Sequence, residues 1–346
     1  MIRFGKPSAA LLAQKTHFFR ENTALLAEGE RIGDIYRRQP RRTRCKCCNF
    51  TLDGRRFTKK GTEYVLCGSC GHLNGAFEDT NAFCEAVYTN TGGEAYARTY
   101  SSADREAYQT RVREIYLPKA EFLLAGLTDA GEDPEALRYA DLGAGSGYFV
   151  AALREAGRRD VTGYEVSEVQ VALASEMLGA GAVVHHELDD AVKLAGKFEA
   201  DVVSMIGVLE HVQHPRDILT ALQGNANVRY LYISVPLFST CVFLEMVFPD
   251  VFQRQLSAGH THLYSESSLD WTAREFDMTR VAEWWFGTDL VDLYRSVAVG
   301  LESDEASAEL ADPWRELIVP VIDEMQMVLD RRKLSSEVHM LLRFDR

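Results

Sequence analysis

A chain of 346 residues, 46% apolar and 10% aromatic, can bury one large α/β core plus a smaller module and is too apolar to stay disordered. No apolar run approaches the roughly 18 residues of a membrane span, and residues 1–14 lack the apolar stretch of a secretory leader, so a cytoplasmic protein with no membrane partner is expected. The net charge of −13 argues against a surface coated for nucleic acid, except in residues 31–60, where eleven Lys and Arg face two Asp.

Residues 1–40 read as a helical lead-in, because Leu11, Leu12, Phe18, Phe19, Leu25 and Leu26 recur at roughly helical intervals until Pro40. Cys45-Lys-Cys-Cys48 follows, then eighteen residues, then Cys67-Gly-Ser-Cys70. Two Cys-x-x-Cys knuckles around a strand-like hairpin over 50–66, with Asp53-Gly54 as its turn, describe a zinc ribbon over residues 41–75. Cys45, Cys48, Cys67 and Cys70 are its expected ligands. Four thiolates suit tetrahedral Zn²⁺ and leave no open position, so the metal would be structural. Cys47 competes with Cys45 and Cys48 for a place in the set. The nearby Lys and Arg offset the −2 charge of such a centre or form a nucleic-acid surface, and the acidic whole favours the first reading.

Residues 76–135 form a bridge or lid in which Tyr88, Tyr96, Tyr100, Tyr108 and Tyr116 alternate with Arg98, Arg105, Arg111 and Arg113. A helical pattern runs over 103–127, with a break or kink expected at Leu117-Pro118. Most of these tyrosines are expected half-buried in a packed linker. Tyr96 and Tyr100, beside Gly92-Gly93, are the candidates for closing over a site.

From residue 136 to 346 the pattern is that of a doubly wound, Rossmann-like α/β sheet. Strands are expected at 137–142, 160–164, 182–186, 200–206 and 229–235, with helices at 148–156, 168–178 and 215–222. Asp141-Leu-Gly-Ala-Gly-Ser-Gly147 lies between the first strand and its helix. Its alternating glycines permit a sharp turn and a close approach to a ligand. Glu165 stands 20 residues after Gly145, at the end of the second strand, where a carboxylate accepts hydrogen bonds from a ribose diol.

The segment after the fourth strand, Gly207-Val-Leu-Glu-His-Val-Gln-His-Pro215, resembles the corresponding stretch of class I S-adenosylmethionine-dependent methyltransferases. The glycine loop also fits that family better than the dinucleotide fingerprint, whose further glycine would fall where Tyr148 stands. The resemblance spans roughly residues 110–300. It implies S-adenosylmethionine as cofactor, with Gly143, Ala144, Gly145 and Gly147 along its methionine moiety and Asp141 near its amino group. Glu165 and Val166 would lie at the ribose, and Asp189 (or Asp190) with Met205 or Ile206 at the adenine. Removal of a proton from the acceptor needs a base. His211 or His260 is the expected one, with Glu210 and His262 as further candidates, unless Glu210-His211 only orients its loop. Some methyltransferases of catechol-like substrates and of RNA ends hold Mg²⁺ through Glu-x-x-Glu-His; Gly207 occupies the first Glu position here, leaving half of that motif.

Two insertions are expected, at 237–275 and 287–335. The first, rich in Phe238, Phe243, Leu244, Phe248 and Phe252, reads equally as a substrate cap or as a core or dimer contact. A strand at 281–287 and an antiparallel strand at 338–344 should close the sheet. A zinc module ahead of this domain is similar to bacterial sugar C- and O-methyltransferases, which implies a small-molecule acceptor, a nucleotide sugar or surface-glycan precursor. An rRNA or tRNA methyltransferase is the alternative, and a non-catalytic binding protein of the same fold the third reading. The sequence does not set the oligomeric state.

Overall fold

Strand-forming and helix-forming stretches alternate through most of the chain, and the computed structural model describes residues 1–14, 21–88, 104–252, 254–256 and 259–346. In chain order these form β1 (Ile2–Phe4), α1 (Ala9–Gln14), α2 (Asn22–Arg37), β2 (Gly54–Lys59), β3 (Thr62–Cys67), β4 (Leu73–Gly75), α3 (Asn81–Tyr88) and α4 (Arg105–Arg111). A π turn (Val112–Tyr116) leads into α5 (Leu117–Asp129). Next come β5 (Tyr139–Leu142), α6 (Tyr148–Glu155), β6 (Val161–Glu165), α7 (Glu168–Leu178), β7 (Val183–His185), α8 (Ala191–Ala195), β8 (Val202–Ile206), α9 (Pro215–Gly224) and β9 (Tyr230–Pro236). The chain continues with α10 (Thr240–Val247), β10 (His262–Leu263), α11 (Glu266–Glu275), β11 (Met278–Phe286), α12 (Asp289–Glu302), α13 (Ala311–Ile318), α14 (Ile322–Arg331) and β12 (Glu337–Phe344).

The main sheet has the order β1-β11-β12-β9-β8-β5-β6-β7. Strands β5 to β9 run parallel, and β12 is antiparallel between β9 and β11. The fold is therefore the class I methyltransferase sheet with its reversed last strand. Period-two alternation splits the core into two layers. Tyr232, Trp284 and Leu341 pack with Phe122 and Phe149 on one face, while Ile233, Trp285 and Met340 pack with Ile218 and Leu222 on the other.

Three expectations need correction. The lead-in is not wholly helical, since residues 2–4 add a parallel edge strand to β11. The ribbon hairpin turns at Lys60-Gly61, not at Asp53-Gly54. Thr62 pairs with Lys59, and both loop residues have positive φ, 45° and 77°, as a two-residue type I′ turn requires. Residues 287–335, whose pattern reads as two helical stretches, hold three α-helices.

The ribbon sheet β10-β4-β3-β2 takes its first strand from beyond β9, with His262 opposite Asn74 and Leu263 opposite Leu73. The cysteine module is thus stitched by backbone hydrogen bonds to the segment that follows the parallel sheet. Among the described residues, no helix is long and apolar enough to cross a membrane.

Candidate functional site

The loop between β5 and α6 is shaped by positive φ at Gly143, Gly145 and Gly147, at 73°, 54° and 77°. A Cβ at Gly143 would lie 2.5 Å from Val208 Cγ2, and one at Gly145 would lie 2.9 Å from Gln170 Oε1. Backbone strain therefore disfavours a side chain at both positions, and at Gly143 the packed Val208 leaves no space as well. Glu165 locks the loop: its Oε2 accepts from the Gly145 amide at 2.8 Å and its Oε1 from the Ser167 amide at 2.9 Å. Each oxygen retains a lone pair for a ligand. Asp141 accepts from Ser204 Oγ at 2.6 Å; burial, with the nearby Glu165 charge, pushes its carboxyl up to about 7.

This loop floors a cavity of about 340 Å³, within the size range of small-molecule sites. Asp141, Gly143, Ala144, Gly145, Glu165, Val166, Asp189, Ile206 and His211 all line it. Asp189, not Asp190, faces the cavity, and its Oδ1 accepts from Asn81 Nδ2 at 3.0 Å. Two expected cofactor residues sit elsewhere. Met205 is fully buried in the core layer beneath the sheet, because strand neighbours face opposite ways and Ile206 takes the cavity side. Gly147 is the residue that caps α6, and a Cβ there would meet Leu178 and Val183, not the cavity.

The wall facing the loop comes from the bridge, which the sequence reading had mostly consigned to packing. Tyr88, Arg111 and Tyr116 line the cavity, and Tyr108 is buried, donating to Ser146 O at 2.9 Å. Tyr96 and Tyr100 lie outside the described residues. On an α-helix, positions 111 and 116 would point about 140° apart. The π turn, marked by the Leu117 amide donating to Val112 O, brings both to one side. Arg111 Nε is buried without a partner, which suits the carboxylate of an amino-acid moiety. The donor set thus fits S-adenosylmethionine: a free-lone-pair carboxylate for the ribose, a guanidinium held over the Tyr148 ring with its buried Nε unpartnered for the carboxylate, and an apolar slot by Val166 and Ile206.

Next to this cavity, Glu210 is buried with Oε2 unpartnered, and burial raises its carboxyl to about 8. His211 Nδ1 lies 3.0 Å from Gly259 O, which also accepts from Tyr88 OH at 2.8 Å. Tyr88 OH also lies 2.9 Å from Nδ1; with that hydroxyl donating to the carbonyl, the imidazole proton sits on Nδ1 and Nε2 keeps its lone pair. Burial lowers His211 to about 4. The His260 ring lies 4.9 Å from that of His211, with Nδ1 3.2 Å from Gln255 O. Glu210, His211 and His260 each bring one donor atom within 4.8 Å of the others, so His260 supplies a third member to what the sequence showed as half a metal motif. His262 is not at the cavity. It lies on β10, with Nδ1 2.8 Å from His72 Nε2 of the ribbon.

The four sulfurs of Cys45, Cys48, Cys67 and Cys70 are buried and lie within 4.8 Å of one another. The Cys45–Cys70 and Cys48–Cys67 Sγ separations are both 3.7 Å. Tetrahedral Zn–S bonds of about 2.3 Å give sulfur–sulfur edges of about 3.8 Å, so the cage fits zinc and is far too wide for disulfides. Cys47 turns to α11, with Sγ 3.4 Å from Thr272 Oγ1. The basic segment is largely spent internally. Arg31, Arg37, Arg41, Arg42, Lys46, Arg56 and Lys59, seven of its eleven cations, are in ion pairs. Lys46, between two knuckle cysteines, is buried against Asp79 and donates to Val212 O at 2.7 Å, tying the knuckle to the loop that carries His211.

Residues 108–283 match the family model described as a methyltransferase domain. The chain belongs to that family. It is an S-adenosylmethionine-dependent methyltransferase. Similar solved structures include magnesium protoporphyrin IX methyltransferase from Synechocystis PCC 6803 with bound SAH, at 15% identity, covering 77% of this chain and 100% of that one, TM-score 0.49. The plantazolicin methyltransferase BpumL in complex with SAH is 15% identical, with 76% and 94% covered and a TM-score of 0.45. A putative sarcosine dimethylglycine methyltransferase from Galdieria sulphuraria is 16% identical, with 67% and 87% covered and a TM-score of 0.44. No curated protein matches the methyltransferase.

Proposed function

We propose that the methyltransferase acts on a small polar acceptor of the nucleotide-sugar or surface-glycan-precursor type, with His211 taking the acceptor's proton. S-adenosylmethionine, when bound, supplies a methyl group already activated on a sulfonium. The chain's own work is then alignment, exclusion of water and removal of one proton. Glu165 holds the ribose diol, Arg111 the carboxylate, Gly143 and Gly145 the methionine chain, and Asp189 and Ile206 the adenine. The observation that carries the reading is His211 on the cavity wall, its Nδ1 engaged by Gly259 O at 3.0 Å and Tyr88 OH at 2.9 Å, which leaves Nε2 for the acceptor. Nε2 faces Glu210 Oε1 at 3.9 Å, so an imidazolium formed there would be stabilised by ionisation of that buried carboxyl. The ion-paired state of the basic segment supports a small acceptor over RNA.

The three-donor set of Glu210, His211 and His260 favours a second reading, in which these residues hold a divalent cation that polarises an acceptor oxygen. Transfer assayed before and after chelation, with the cysteine-bound metal quantified in parallel, separates the two.

The primary test is incubation with labelled S-adenosylmethionine and separate pools of nucleotide sugars, tRNA and protein. Label in the nucleotide-sugar pool is expected; label confined to tRNA, or none despite cofactor binding, overturns the acceptor assignment. His211→Ala should lower turnover by about 10²–10⁴ while leaving S-adenosylhomocysteine affinity intact, and unchanged turnover would remove His211 as the base.

A further inference from the structure

Beyond the cofactor cavity, the carboxyl edge of the sheet carries a second polar cluster. Because β12 is antiparallel, its first residue, Glu337, sits at the same edge as the carboxyl ends of β8 and β9, where ligands bind in sheets of this type. Glu337 Oε1 is shared by Ser234 Oγ at 3.1 Å, His339 Nε2 at 3.0 Å and, at 3.7 Å, Lys119 Nζ. Lys119 projects from α5 and is nearly buried. Its ammonium lies 5.2 Å from the ring centre of Tyr116, a wall residue of the cofactor cavity.

Lys6 arrives from another direction. It follows β1, and Gly5 before it is pinned to β11 by its amide on Trp285 O at 3.0 Å and its carbonyl on Trp284 Nε1 at 2.8 Å. Lys6 Nζ lies 5.3 Å from the ring centre of Phe286, the last residue of β11. Among the described residues Lys6 Nζ makes no hydrogen bond or ion pair, and Lys119 Nζ makes no hydrogen bond. Two ammonium groups, with six N–H donors between them, therefore have one carboxylate to share, and Arg254 adds a third cation within electrostatic reach. Burial, with the Lys119, Arg3 and Arg254 charges outweighing that of Glu337, pushes the Lys6 ammonium down to about 8. Both ammonium groups thus keep N–H donors for an anion at the edge of the sheet where ligands bind.

We propose that Lys6 and Lys119, gathered around Glu337, form the subsite that binds an oxyanion carried by the methyl acceptor. The inference rests on the small-acceptor reading above and sharpens it: the acceptor is a phosphate ester or a carboxylic acid, and its anionic end is seated over β12. Electrostatic contact links the two places, since Glu337 and Lys119 act on Glu210, and Glu337 and Arg254 on His260. An anion held there would act electrostatically on the groups that handle the proton. Neither lysine lines the cofactor cavity, so the subsite can be emptied without disturbing cofactor binding.

The test is calorimetric titration of the full chain, loaded with S-adenosylhomocysteine, with inorganic pyrophosphate and in parallel with malonate. Saturable binding of one of them is expected, and which one binds distinguishes phosphate from carboxylate. Lys6→Met and Lys119→Met should each weaken it by at least about tenfold with S-adenosylhomocysteine affinity unchanged. Lys6 is only partly buried, so its variant stays informative should Lys119→Met fail to fold. Binding of neither anion, or equal binding by the Lys6 variant, overturns the subsite. Label transfer to nucleotide sugars without anion binding defeats this inference alone, whereas anion binding without such transfer defeats only the acceptor class.

Discussion

The glycine loop and the cysteine ribbon are shaped by opposite means. The loop at 143–147 is built from backbone: three positive-φ glycines, a strand before, a helix after, and Glu165 closing it from the neighbouring strand. The ribbon converges four side chains from two turns, and its core of Cys45, Cys48, Cys67, Cys70, Leu52, Val65 and Ala76 is small. A core of that size needs a metal or an equivalent staple. The two regions meet around the loop before α9, where Lys46 holds Val212 O and, from the first turn of α9, Arg216 holds Cys47 O at 2.8 Å. Cofactor binding should therefore depend on backbone geometry, and the posture of His211 on the metal.

The largest effect separates both regions from their common support. Deleting residues 336–346 removes a strand paired on both sides, with β9 and β11, and should abolish folding; a soluble truncation that still binds S-adenosylhomocysteine would contradict this. Cys67→Ser, or removal of the metal by a chelator, should lower turnover more than it lowers cofactor affinity, because the disturbance reaches His211 through Lys46. Equal losses in both would mean that the regions are not distinct. Gly145→Ala should do the reverse, costing about 1–3 kcal/mol in cofactor binding through backbone strain with metal content unchanged.

The smallest effect lies in the sheet that carries both. His339 is buried, and burial with the Lys119 charge lowers it from 6.5 to about 3. The unfolded chain then binds one more proton than the folded one between those values, so stability present above 6.5 is lost as pH falls through that window. His339→Gln should remove about 2 kcal/mol of the stability loss between pH 7 and 5. An identical pH dependence of the melting temperature would show that His339 does not titrate in this way.

Much of the catalytic half was legible because its strands are apolar runs and its helices begin at recognisable places: α7 at 168–178 and the start of α9 at Pro215 stand where the pattern set them. Glu165 was legible from spacing. Strand β1 was not, since three residues including Arg3 carry no periodicity and become a strand only against β11. The ribbon turn was misplaced because Asp53-Gly54 and Lys60-Gly61 are both plausible turn pairs, and only pairing with β3 decides between them. Arg111 and Tyr116 were missed as cavity residues because a π turn changes the periodicity that assigns faces. The Tyr/Arg density of the bridge was the available signal. His260 and His262 looked equivalent, yet β10 turns the second toward His72.

The assignment of the cavity is tested most directly by titrating the protein and its Glu165→Ala variant with S-adenosylhomocysteine while measuring metal content. Stoichiometric binding by the parent, weakened about a hundredfold in the variant through loss of charged hydrogen bonds and with metal content equal, is the predicted result. Equal affinity in the two proteins would contradict the placement of the cofactor over Glu165.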